Sequence, residues 1–120
     1  MRYFKQLKVW KRAHVLALDV YCATSNYPTA EKYGLTSQMR RSATSVPTNL
    51  AEGTARNSRA DYARFIDIAV GSVTEIEYQL ILSDDLGYLD SQRSTGLQRE
   101  CREIRSMLLG LRSRVLTTDD

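Results

Sequence analysis

Two apolar ladders of identical pitch constrain this chain more than any other feature. Tyr62, Ile66, Ala69, Val73, Ile76 and Leu80 are spaced 4-3-4-3-4, and Leu97, Cys101, Ile104, Leu108, Leu111 and Val115 repeat that spacing. Alternating steps of four and three place each set on one stripe of an α-helix, whereas a strand would split it between two faces. Such a stripe is stable only when buried against others like it. Leu86-Gly87 reads as the stop of the first ladder, and Asp90 or Ser91 as the start of the second. The pair therefore predicts two long helices folded back as an antiparallel hairpin.

The remaining segments are also helical. Val9, Ala13, Leu16 and Val20 form one stripe beside a second of Trp10, His14, Ala17 and Tyr21, and Tyr27-Pro28 ends the run. Leu35, Met39, Ala43, Val46 and Leu50 form the next, with Thr36 as expected N-cap, Gly53 as expected stop and Pro47 as an expected kink. Ser58-Arg59-Ala60-Asp61 opens the first ladder as an acidic capping box. Helices are expected over residues 7–26, 34–52, 58–86 and 91–116, and no stretch alternates as a strand. At 120 residues the chain should form one domain, 1–120: an all-α, up-and-down antiparallel four-helix bundle.

Composition excludes several classes. With 42% hydrophobic and 26% charged residues the chain is not wholesale disordered. No apolar run reaches the roughly 18 residues of a membrane span, and no signal-type segment opens the chain, so a cytoplasmic protein without a membrane partner is expected. Cys22 and Cys101 are far apart and read as reduced, buried, small apolar residues. His14 is the only histidine and reads as a packing or rim residue, which leaves no histidine cluster for a metal. There is no glycine-rich phosphate loop and no Glu-x-x-His pair. Glu75 and Glu77 point to different helix faces, and Asp84 and Asp85 read as solvated charges. No catalytic residue, metal or cofactor is expected, and the chain reads as a non-enzyme.

Charge is informative by position. The net is +3, but the chain up to Arg64 carries eleven basic residues against four acidic ones, and the remainder six against ten. That asymmetry suggests a surface facing a polyanion, or complementary halves meeting in an oligomer. Lys8, Lys11, Arg12, Arg40, Arg41, Arg56, Arg59 and Arg64 are the candidate nucleic-acid contacts, with Tyr3, Phe4 and Trp10 interleaved near the start. Any one of them alone is an ordinary solvated charge. The third helix carries more apolar surface than one core requires. Phe65, Ile68, Ser72, Glu75, Gln79 and Leu82 form a second face that reads as a subunit interface or, alternatively, as a wide core stripe with ordinary exposed apolar residues. Gly71 and Gly96, poor helix formers, are expected where another backbone comes close.

Four strings then point to a family. Leu7-Lys8-Val9-Trp10-Lys11-Arg12-Ala13-His14, Tyr33-Gly34-Leu35-Thr36-Ser37-Gln38-Met39-Arg40-Arg41-Ser42-Ala43, Ser45-Val46-Pro47-Thr48-Asn49-Leu50-Ala51-Glu52-Gly53 and Ala69-Val70-Gly71-Ser72-Val73-Thr74-Glu75 resemble a bacterial four-helix-bundle family named after reading frames in the intervening sequences of 23S ribosomal RNA genes. The resemblance runs from about Leu7 to Leu116. It implies a ring-like homo-oligomer, often a pentamer, and extends to the accessory variability protein of diversity-generating retroelements, a basic pentamer that binds nucleic acid and a reverse transcriptase. The expected function is a non-enzymatic homo-oligomeric bundle that binds structured RNA or DNA through a basic surface. The alternative is a protein-interaction scaffold or accessory subunit that binds a partner protein and no nucleic acid.

Overall fold

The computed structural model describes residues 3–117. Arg2, Asp119 and Asp120, counted in the charge balance above, lie outside the described residues. Four helices follow in order: α1 (Lys8–Thr24), α2 (Leu35–Thr54), α3 (Arg59–Asp85) and α4 (Ser91–Thr117). Short 3₁₀ turns at Phe4–Gln6 and Thr29–Glu31 precede α1 and α2. Consecutive helices pack side by side, and α1 closes the bundle against α4 along a thinner seam. A helix of 27 residues is about 40 Å long at 1.5 Å per residue, so α3 and α4 run most of the 49 Å long axis.

The helix boundaries follow from local chemistry. The Ser58 hydroxyl accepts a hydrogen bond from Asp61 N at 3.0 Å, capping α3 as its sequence requires. At the far end the Tyr88 N–H donates to Ser83 O and the Gly87 N–H to Asp84 O, both at 2.9 Å, with Gly87 at φ 77°. That is a Schellman closure, and it needs a glycine. Asp90 caps α4 by accepting from Arg93 N at 3.0 Å.

Two expected boundary residues do something else. Thr36 is buried inside α2; the first backbone donor of the helix, Leu35 N, is met instead by the Glu31 carboxylate at 3.2 Å. Gly53 does not end α2, which continues to Thr54. An added Cβ there would lie 2.9 Å from Cδ1 of Tyr62 and 3.1 Å from Cβ of Phe65, so Gly53 lets α2 and α3 approach. Gly71 and Gly96, expected to mark such approaches, have nothing within 4 Å. α2 runs unbroken through the buried Pro47, and the Asn49 amide donates to Ser45 O at 2.8 Å.

The predicted stripes form one core. Val9, Ala13, Leu16 and Val20 of α1 meet Leu35, Met39, Ala43, Val46 and Leu50 of α2, all buried. The whole α3 ladder is buried, and so is the α4 ladder except the half-buried Val115. Cys101 belongs to that core; Cys22 is exposed, contrary to expectation, because it follows Tyr21 onto the outer side of α1. Among the described residues no helix is long and apolar enough to cross a membrane.

Candidate nucleic-acid interface

Antiparallel packing collects cations that are distant in sequence. The start of α1, the end of α2, the start of α3 and the end of α4 lie at one end of the bundle. Gly53 abuts Tyr62 and Phe65, Arg112 donates from Nε to Asp67 at 2.6 Å, and residues 6–9 share a surface depression with Gly110 and Arg114. Lys5, Lys8, Lys11, Arg56, Arg59, Arg64, Arg112 and Arg114 therefore occupy this end, against the carboxylates of Glu52, Asp61 and Asp67 among the described residues. Asp61 lies 3.5 Å from Arg64 and Asp67 is bound to Arg112. Lys5, Lys8 and Lys11 are exposed and make no ion pair among the described residues.

Local packing aims two of these arginines. The guanidiniums of Arg56 and Arg64 lie over the buried Phe65 ring, 4.6 and 4.7 Å from its centroid. A cation held on an aromatic face keeps its outward N–H donors for other acceptors. The end of the bundle thus offers exposed lysines and positioned arginines together.

The other predicted cations are already paired or lie away from this cluster. Arg12 bridges α1 to α4: Nε donates to Glu100 Oε2 at 3.0 Å, Nη2 reaches Glu100 Oε1 at 2.5 Å, and Glu103 lies 3.8 Å away. Its hydrogen bond to Glu100 raises its pKa further, and the bidentate fork that would grip a phosphate is already filled. Arg40 lies towards the opposite end. Its Nε donates to the Thr24 hydroxyl at 2.9 Å, Nη2 to Tyr21 O at 3.4 Å, and its guanidinium covers the Tyr21 ring at 4.7 Å. It closes the C-terminus of α1 onto α2. Arg41 is exposed beside it. The structure brings together Lys8, Lys11, Arg56, Arg59 and Arg64; it sets Arg40 and Arg41 towards the opposite end and engages Arg12, one turn from Lys8, in its pair with Glu100. Lys5, Arg112 and Arg114 complete the cluster; only the alignment of α4 with α3 reveals the last two.

The second face of α3 is largely absorbed by α2. Phe65 and Gln79 are buried within the chain, and Leu82 is half-buried against the core. Glu75 accepts from the Ser42 hydroxyl at 3.0 Å, and the Ser45 and Ser72 hydroxyls meet at 2.8 Å. Ile68 stays exposed, as does Glu75 around its bond to Ser42, and the buried Gln79 Oε1 has no hydrogen-bond partner. Glu77 faces the other way, as its spacing from Glu75 requires. It binds Arg105 Nη1 at 2.7 Å and Arg102 Nη1 at 3.2 Å on α4. Burial alone would raise its pKa, but the hydrogen bonds from Arg105 and Arg102 outweigh that and hold the carboxyl below the usual range.

Comparison with known proteins agrees with this architecture. No curated protein matches the chain significantly. A solved structure from Bacteroides thetaiotaomicron, described as a protein of unknown function from the S23 ribosomal protein family, superposes with a TM-score of 0.78 at 24% identity. The match covers 87% of this chain and 97% of that one, and it establishes the shared fold. The family model for the 23S rRNA-intervening sequence protein matches residues 5–110, from the first 3₁₀ turn to the last turns of α4. By that match over nearly its whole length, the chain belongs to the 23S rRNA-intervening sequence protein family.

Proposed function

We propose that this chain is a non-enzymatic, homo-oligomeric helical bundle that binds structured nucleic acid through its basic end. The observation that carries the reading is the convergence of cations from four separate segments on one end, where Lys5, Lys8 and Lys11 make no ion pair among the described residues. Phosphate neutralisation by such a cluster is independent of sequence and strongly dependent on salt. No base-reading helix or ribbon is apparent, so recognition runs through backbone and shape. Assembly into a ring-like oligomer is supported by the apolar side chains left exposed, among them Val15 on α1 and Ile68 and Tyr78 on α3.

Fluorescence anisotropy with a labelled RNA hairpin, from about 50 to 200 mM salt, tests the binding. The expected result is affinity that falls steeply with salt, and falls again on Lys8→Glu/Lys11→Glu while Arg41→Glu at the other end has little effect. Equal responses to both replacements would remove the basic end from the account. A protein-interaction scaffold is the second reading, favoured by those same exposed apolar residues; it requires a complex with a partner protein and no salt-sensitive nucleic-acid binding. Light scattering tests assembly separately, with Ile68→Asp expected to give a folded monomer.

A further inference from the structure

Between α1 and α2 lies an open groove of about 510 Å³, within the range of small-ligand sites. Its α1 wall is aromatic. Trp10 and His14 stack with their rings 5.3 Å apart and only 7° from parallel, and Phe4 meets Trp10 edge-on at 5.1 Å. The α2 wall is low, formed by small residues including Thr44, Pro47 and Thr48. Among the described residues no charged side chain lines the groove, yet the exposed Lys5 and Lys11 are the immediate chain neighbours of Phe4 and Trp10. His14 and Thr48 are exposed and bring polar atoms to otherwise apolar walls.

These features restrict the occupant. A phosphate or carboxylate finds no donor cluster among the described lining residues, while the lysines next to Phe4 and Trp10 in the chain favour an anion nearby. What fits is a flat group with apolar faces and polar edges, covalently attached to a phosphate. We propose that the groove takes an unpaired base of a nucleic-acid strand, stacked on an outer face of the Trp10–His14 pair with its flanking phosphates on Lys5 and Lys11. Base stacking on aromatic side chains tolerates sequence variation and supplements phosphate binding. This assignment rests on the nucleic-acid reading above and narrows its target: a paired stem alone satisfies the basic end, whereas the groove requires bases free of a partner strand.

Trp10 is the only tryptophan, so its emission reports on the groove directly. The test titrates the full chain with a labelled RNA hairpin carrying an unpaired loop, and with a blunt duplex of equal phosphate count. Anisotropy and Trp10 fluorescence are followed together. The expected result is binding of both, quenching of Trp10 by the hairpin alone, and tighter hairpin binding. His14→Ala, at an exposed position, should weaken hairpin binding by about tenfold and leave duplex binding unchanged. Thr48→Phe, which fills the slot from α2 without touching the core, should abolish the quenching. Hairpin binding with unaltered Trp10 emission, or equal loss of both ligands in His14→Ala, overturns the base slot and leaves the basic end standing. Absence of binding by either ligand overturns both. Trp10 emission that shifts with protein concentration before nucleic acid is added, and is then indifferent to the hairpin, assigns the groove to a second copy of the chain and also overturns the proposal.

Discussion

Gly53 and Gly71 both sit inside helices, yet alanine should change stability in opposite directions at the two sites. On an open helix surface alanine is favoured over glycine by about 1 kcal/mol, because the unfolded glycine has more freedom to lose. At Gly71, and at Gly96 on α4, the added methyl group meets nothing within 4 Å, so each replacement should stabilise by about 0.5–1 kcal/mol. At Gly53 the methyl group would lie 2.9 Å from Cδ1 of Tyr62 and 3.1 Å from Cβ of Phe65. Comfortable carbon–carbon contact is about 3.5–4.0 Å, so both neighbours must retreat. Tyr62 is only 4% exposed, and the Cβ of Phe65 moves only with the backbone. Relief therefore requires α3 to shift away from α2, which disturbs the hydroxyl contacts joining Ser45 to Ser72 and Ser42 to Glu75. Overpacking of this kind costs about 1–3 kcal/mol, which offsets the gain in helix propensity and leaves a net loss of up to about 2 kcal/mol. Urea melts followed by far-ultraviolet circular dichroism, at one protein concentration, measure it. With an m-value of about 2 kcal/mol/M the midpoint should fall by up to about 1 M for Gly53→Ala and rise by about 0.3–0.5 M for the other two. A midpoint that rises in Gly53→Ala as it does in Gly71→Ala would refute the close approach.

Further outcomes follow from single residues. Burial pushes the Cys101 thiol up to about 12, while Cys22 is exposed, so a thiol reagent should label one cysteine of the native protein and both after denaturation. Because the folded Glu77 carboxyl titrates below its unfolded value of 4.5, its contribution is fully present above that pH and is lost as pH falls through the folded pKa. Glu77→Gln should therefore flatten the decline in stability between about pH 5 and pH 3, and an unchanged acid limb in urea melts would dismiss the Arg102–Glu77–Arg105 cluster as its source. Ser58→Ala, which removes the acceptor for Asp61 N, should cost about 1 kcal/mol, while Ser58→Asp should restore most of it.

The helices were legible because burial repeats at the helical period: each buried ladder in α3 and α4 is visible as a string of apolar letters before any contact is known. The Ser58 and Gly87 boundaries were legible too, since each is a local exchange between a few neighbouring residues. Gly53 and Thr36 were misread for the complementary reason. A glycine near the end of an apolar run has the same spelling whether it caps a helix or admits a neighbour, and here Tyr62 and Phe65 decided. A threonine at a helix start resembles a cap until a carboxylate from the preceding turn, Glu31, takes the position.

The candidate site divides along the same line. Sequence alone determined that the first half of the chain is basic, that aromatics lie among its cations, and that four amphipathic helices must share a core. It did not determine which cations meet. Arg12 is closed by Glu100, 88 residues away, and Arg40 by the last turn of α1. Lys8 and Arg114 share one end only because α1 and α4 run in opposite directions. Helical periodicity is a property of neighbours within a turn, so it is written in the order of the residues. Charge convergence depends on how long antiparallel helices are set against one another, and only tertiary packing fixes that register.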